Sequence, residues 1–176
     1  MRLPHTRADW LDLDQRMTAR CNRASRIAFW RGFFAVISRL GNGVFWYGLM
    51  ACLLLVQGRA ALVPVLQMVV VGLVGLALYK WLKHKTSRPR PFMRSDAIHR
   101  ACDVLDEYSF PSGHTLHAVS FTLIALAYYP GLAGLLLPFT ALVALSRPVL
   151  GLHYPSDVLA GATLGALLAG LSFALI

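Results

Sequence analysis

Charge is what this sequence has least of, and the shortage is uneven. Only 14% of its 176 residues are Asp, Glu, Lys or Arg, against about 25% in an ordinary soluble domain. The deficit is concentrated in four uncharged runs: residues 40–58 (19 residues), 60–79 (20), 108–146 (39) and 158–176 (19). About 20 apolar residues, each rising 1.5 Å along a helix, cross the hydrocarbon core of a bilayer. A large soluble helical core would need polar faces on these helices, and they have almost none. Acidic residues are scarcest, 8 against 17 Lys and Arg. That basic excess beside apolar runs points to anionic lipid, not nucleic acid, as its partner. Cysteine is also sparse. Cys21, Cys52 and Cys102 are an odd number at wide spacing, which excludes a disulfide framework as the organising device. No cleavable signal peptide is expected either: residues 1–20 carry Arg2, Arg7, Asp9, Asp12, Asp14, Arg16 and Arg20 and no apolar core.

The runs that remain define the fold. The 39-residue run divides at Pro130-Gly131, a turn signal. Five membrane helices follow, at roughly 41–58, 60–82, 113–129, 131–147 and 156–176. The expected class is all-α, a polytopic membrane helical bundle preceded by an N-terminal interfacial amphipathic segment. The chain divides accordingly into residues 1–40 and residues 41–176. In the N-terminal part, Trp10, Leu13, Met17 and Cys21 recur at helical spacing over 8–22. Residues 27–40 are apolar and aromatic but interrupted by Arg31 and Arg39. An interfacial helix with its rings at headgroup level fits them, with a sixth span as the alternative. Gly41-Asn42-Gly43 breaks the pattern before the first span. In the last span Gly161, Gly165 and Ala169 form a small-residue stripe on which another helix can approach closely.

With five spans, the N-terminus, the 83–110 loop and the 147–155 segment share one face of the membrane. Three polar clusters therefore meet there. In 83–91 (KHKTSRPRP), Lys83, Arg88 and Arg90 are residues for holding phosphate oxygens, on a backbone stiffened by two prolines. The alternative is a basic segment that only touches lipid headgroups. In 111–114 (PSGH), a helix begins, and its free N–H groups attract anions. Ser112 can cap that helix or donate to a phosphate oxygen, Gly113 allows close approach to the backbone, and His114 can protonate a departing oxygen. A plain helix cap with an incidental histidine is the alternative. In 147–157, His153 and Asp157 are four apart, so they can share a helix face, with Arg147 just before them. An aspartate bonded to one ring nitrogen leaves the other a better nucleophile.

Taken together, Lys83-x6-Arg90-Pro91, Pro111-Ser112-Gly113-His114 and Ser146-Arg147-x5-His153-x3-Asp157 resemble the three-part signature of the type 2 phosphatidic acid phosphatase superfamily. That superfamily includes membrane lipid phosphatases and soluble vanadium haloperoxidases. The resemblance covers about residues 41–176. It implies a lipid phosphatase in which His153 attacks phosphorus and Asp157 orients it. Lys83, Arg90, Arg147, Ser112 and the Gly113 N–H hold the phosphoryl oxygens. His114 protonates the leaving group and then activates water. No cofactor and no metal are implied. A zinc site from His114, His117 and His153 lacks a supporting Cys or carboxylate set. His117 is left to face the site or to pack, Arg88 is a further candidate phosphate contact, and His84, His99, Asp103, Asp106 and Glu107 have no assigned role.

The implied substrate is a lipid phosphate or diphosphate reaching the site from the bilayer. Undecaprenyl diphosphate is the first expectation; phosphatidylglycerol phosphate and phosphatidic acid are the alternatives. Of the 17 Lys and Arg, 16 lie on the site's face and only Arg59 on the other, which the positive-inside rule assigns to the cytoplasm. The resemblance to bacterial members implies the outward face of the inner membrane instead. An intramembrane serine protease built on Ser112, and a non-catalytic lipid-binding protein, are the rival classes. Oligomeric state is not encoded in any recognisable motif.

Overall fold

A computed structural model describes residues 6–102 and 106–175. Residues 1–5 of the expected N-terminal segment, Ile176 of the expected last span and Asp103 lie outside the described residues. The described residues form eight α-helices: α1 (Arg7–Asn22), α2 (Ala28–Arg39), α3 (Phe45–Gln57), α4 (Leu62–Thr86), the single turn α5 (Pro91–Arg94), α6 (Gly113–Tyr128), α7 (Ala133–Val149) and α8 (Pro155–Phe173). The uncharged runs of the sequence correspond to α3, α4, α6, α7 and α8. Among the described residues, three stretches are long and apolar enough to cross a membrane: Ala28–Arg94, which strings together α2 to α5, Pro130–Val149 and Pro155–Phe173.

Helix α6 is central, with α4, α7 and α8 all packed on it. Lipid tails are as apolar as leucine, so burial alone does not hold such helices together; close backbone approach does. The small-residue stripe supplies it. A Cβ added to Gly161 would lie 2.4 Å from the Ser112 carbonyl oxygen, and one added to Gly165 would lie 2.4 Å from that of Leu116. Any side chain there would force α8 off α6. The apolar core grows outward from this contact through Trp46, Met68, Phe121, Ile124, Leu136 and Val143.

The Gly41-Asn42-Gly43 break separates α2 from α3, as the sequence pattern suggests: Gly43 takes a φ of 125° and Asn42 leaves helical geometry, so the chain kinks between the two helices. Phe29, Trp30, Phe33 and Val36 stay exposed on α2, so this arm presents an apolar and aromatic face outward. In α1 the inward face is the polar one. Trp10 and Met17 are 59% and 42% exposed, whereas Thr18 and Asn22 are 0% and 1% exposed. Asp14, Thr18 and Asn22 follow each other at four-residue steps, so they form one stripe. Asn22 Nδ2 donates to the carbonyls of His99 and Val149, both at 2.9 Å, and its Oδ1 accepts from the His99 N–H at 2.7 Å. The stripe therefore fastens α1 to the loop before α6 and to the end of α7.

Candidate active site

The site is assembled where α7 hands over to α8. Arg147 lies in the last turn of α7, and its carbonyl accepts from the N–H groups of Leu152 (3.0 Å) and His153 (3.4 Å). This folds the connection tightly back on itself. The turn needs Gly151 at φ 76°, where a Cβ would also meet the His99 carbonyl at 2.7 Å. Pro155 then starts α8, a position that suits its fixed φ and missing N–H. Asp157 sits in the first helical turn with no solvent exposure, and its Oδ2 accepts from the Tyr154 N–H at 2.9 Å. That oxygen is 3.6 Å from His153 Nδ1, a contact longer than a hydrogen bond. His153 and Asp157 are thus neighbours, with the ring nitrogen on that side unbonded.

The other ring nitrogen meets the first cluster. His153 Nε2 lies 3.4 Å from Arg90 Nη1, which donates to the Leu152 carbonyl at 2.7 Å. Arg90 is positioned by the bend after α4, where Ser87 is left-handed (φ 44°) and Pro91 opens α5. Arg90 Nη2 and Lys83 Nζ share one carboxylate oxygen, Asp106 Oδ1, at 2.6 and 2.9 Å. Lys83 also donates to the Tyr108 carbonyl at 2.7 Å. Arg147 donates to Ser38 Oγ on α2, and its Nε has no partner.

Lys83, Arg90, Arg147 and His153 are all at most 4% exposed, while the Asp106 side chain that faces two of them is 40% exposed. Buried cations are costly unless an anion compensates them. Three permanent cations around one half-exposed carboxylate leave a surplus of positive charge, the electrostatic signature of an anion site. Burial, then the charges of Arg90, Arg147 and Lys83, hold the His153 imidazole well below the usual histidine value. These neighbours favour the neutral imidazole. Partial burial pushes the Asp106 carboxyl upward, but Lys83 and Arg90 overcome it and hold the carboxyl below its ordinary value.

The second cluster joins through the backbone. The Ser112 N–H donates to the Asp157 carbonyl at 3.0 Å, tying the start of α6 to α8. Ser112 Oγ caps α6, accepting from the Thr115 N–H at 3.5 Å and lying 3.0 Å from Thr115 Oγ1. The space above Gly113 is taken by the Tyr79 ring, 3.1 Å from where a Cβ would stand. His114 stands in the first turn of α6, one residue after Gly113.

Not every candidate converges. His117 turns to α4, with Nε2 3.1 Å from the Gly72 carbonyl and its ring stacked on Phe121. Arg88 does not stand among the cations. Its Nη1 donates to Asp157 Oδ1 at 2.6 Å, and its Nη2 to Asp14 Oδ2 at 2.7 Å. The residues that composition and spacing miss are Asp106, Asp14 and Ser38. Only a carboxylate surviving in a strongly basic loop could have signalled the first.

Comparison with known proteins places this arrangement. The profile of the PAP2 superfamily matches residues 64–176. An undecaprenyl-diphosphatase of Sulfolobus acidocaldarius is 29% identical over 149 residues, covering 84% of this chain and 71% of that protein. A decaprenylphosphoryl-5-phosphoribose phosphatase of Mycobacterium tuberculosis is 40% identical over 95 residues, 53% of this chain and 50% of that protein; the match spans only half the length of that relative. Among solved structures, a transmembrane PAP2-type phosphatidylglycerolphosphate phosphatase from Bacillus subtilis superposes with a TM-score of 0.74 at 24% identity, over 97% of this chain and 87% of that one. Aquifex aeolicus LpxE superposes with a TM-score of 0.77 at 23% identity, over 92% and 95%. At these identities the two structures establish a shared fold.

Proposed function

The chain belongs to the PAP2 superfamily, and on that footing we propose that it is a membrane lipid phosphatase working through a phosphohistidine. In the first step His153 Nε2 forms a bond to phosphorus while the bond from phosphorus to the leaving oxygen breaks. His114 gives that oxygen its proton. In the second step water, deprotonated by His114, displaces His153 and releases inorganic phosphate. Asp157 holds the imidazole and stabilises its developing charge. Lys83, Arg90 and Arg147, with the Gly113 N–H and Ser112, take the phosphoryl oxygens. Fixed positive charge aimed at the spreading negative charge of the transition state is the main catalytic effect. These groups supply that charge without a metal ion.

The observation that carries this reading is the 3.4 Å separation of Arg90 Nη1 from His153 Nε2, with Arg90 and Lys83 together already gripping one carboxylate. For the lipid we favour undecaprenyl diphosphate, following the Sulfolobus acidocaldarius relative. Phosphatidylglycerol phosphate or phosphatidic acid is the second reading, favoured by the basic excess that points to the cytoplasm. In our reading α3, α4, α6, α7 and α8 are five spans of the inner membrane. Helices α1 and α2 lie along its surface, and the site opens outward. An Ala97→Cys probe in a cysteine-free background tests the side: an impermeant maleimide should label it in intact cells.

The deciding experiment is phosphate release in detergent micelles from a panel of lipid phosphates and diphosphates, with excess chelator. Wild type should release phosphate from undecaprenyl diphosphate fastest, with chelator present. His153→Ala should lose at least about 10³-fold, as when an enzyme loses its nucleophile. Equal turnover by His153→Ala would end the proposal.

A further inference from the structure

We propose that Arg88 and Asp14 are positioning residues for the His153–Asp157 pair, which makes helix α1 a working part of the active site. The inference rests on the reading above that Asp157 orients the nucleophile. Asp157 is a fully buried carboxylate, and such a group stays ionised only beside a cation or several donors. The basic groups around the His153 ring do not bond to it. Its cation is Arg88, at 2.6 Å from Oδ1. An Asp157 that lost its charge would neither orient His153 nor stabilise the positive charge that develops on the ring as Nε2 bonds to phosphorus.

Arg88 is itself fixed from three sides. Its guanidinium lies over the Tyr154 ring, 4.1 Å from the centroid. Its Nη1 also donates to Ser156 Oγ at 2.8 Å, and its Nη2 is held by Asp14 at 2.7 Å. Asp14 reaches past Arg88 to the same segment. Its Oδ1 accepts from the Ser156 N–H at 3.1 Å, and its Oδ2 from Ser156 Oγ. Arg88 and Asp14 thus grip residues 154–157, the chain between the nucleophile and its partner. Both Nη groups of Arg88 are committed to carboxylates, so the side chain has no free fork for a phosphate. The planar guanidinium is the one cationic side chain that bridges two carboxylates this way. Asp14 stands at one end of the polar stripe by which α1 is docked, and Asn22 at the other anchors the same handover from α7 to α8.

The test is steady-state kinetics on the full chain in micelles, with inorganic phosphate as a competing ligand. Asp14→Asn keeps the shape and the acceptor for Ser156 while removing the charge. Arg88→Gln removes the bridge. Each should lower kcat by about 10- to 100-fold, the range lost when a partner orienting a metal-binding histidine is removed. KM for the lipid and the inhibition constant of phosphate should stay within about twofold, because a group acting through Asp157 does not touch the phosphoryl group. In an Asp157→Asn background, adding Arg88→Gln should cost nothing more. A parallel weakening of phosphate inhibition would overturn the inference and make Arg88 a phosphate ligand. Unchanged kcat in Asp14→Asn, or losses that multiply in the Asp157→Asn background, would overturn it too. Should Arg88→Gln not fold, Asp14→Asn and Arg88→Lys decide, the lysine being expected to recover only part of kcat. Wild-type activity in Asp157→Asn alone would instead sink the phosphohistidine reading on which this rests.

Discussion

Arg90 Nη1 stands 3.4 Å from His153 Nε2, although they are 63 residues apart in the sequence. A permanent cation so close to an imidazole opposes its protonation, and burial opposes it further. In the proposed mechanism this keeps the ring in its attacking form and sets the cation where an incoming phosphoryl oxygen would be received.

The pH dependence of kcat/KM follows from that relationship. His153 must be neutral to react, and its value is held well below the ordinary 6.5. The acidic limb should therefore lie below the usual histidine range. Arg90→Gln removes a cation that disfavours the protonated ring, so His153 keeps its proton to higher pH. The limb of the residual activity should move upward. A limb that stays in place or moves down in Arg90→Gln would contradict this electrostatic account.

Asp106 occupies Lys83 and Arg90, the two cations assigned to the substrate, at 2.9 and 2.6 Å. Its depressed carboxyl value means that it remains an anion throughout the neutral range. In the proposed mechanism a phosphoryl group would have to displace it. Asp106→Asn should therefore let inorganic phosphate inhibit more strongly, by about threefold to tenfold, roughly 1 kcal/mol, as expected for a half-exposed competing charge. Competitive inhibition measured with both proteins in the same micelles checks it.

The contact of Gly161 with the Ser112 carbonyl sets the distance between the two helices that carry Asp157 and His114. Gly161→Ala should lower the melting midpoint in detergent, by about 1–3 kcal/mol of stability for an overpacked contact, and should also depress kcat. Gly165→Ala, one turn further from the site, should match the loss of stability with a smaller loss of kcat. Thermal unfolding and phosphate release on the two variants separate the effects.

What the sequence could reveal was set by range. His153 and Asp157 are four residues apart and Ser112 to His114 open a helix, so local spacing brings their chemistry together, although His153 precedes α8, which begins at Pro155, instead of sharing its face. The Gly161 and Gly165 stripe was legible too, because residues four apart must share a face; its partner, α6, was not. Contacts that cross the fold left no local trace. Arg147 rests on Ser38, and Arg88 on Asp14, across 109 and 74 residues. Helix α1 shows the limit most clearly. Its apolar spacing over Trp10, Leu13 and Met17 marks a helix, yet with lipid as the neighbouring solvent the apolar face turns outward, and Asp14, Thr18 and Asn22 turn in. Which face is buried depends on what surrounds the helix, and spacing alone does not encode that.

The central claim is that a phosphoryl group rests on His153 between substrate and product. Rapid-quench labelling with a radiolabelled lipid diphosphate tests it most directly. The account predicts a transient label that is acid-labile and base-stable, recovered on the peptide containing His153, and absent from His153→Ala. Label on Ser112, or full turnover with no protein-bound phosphate at any time, would contradict it.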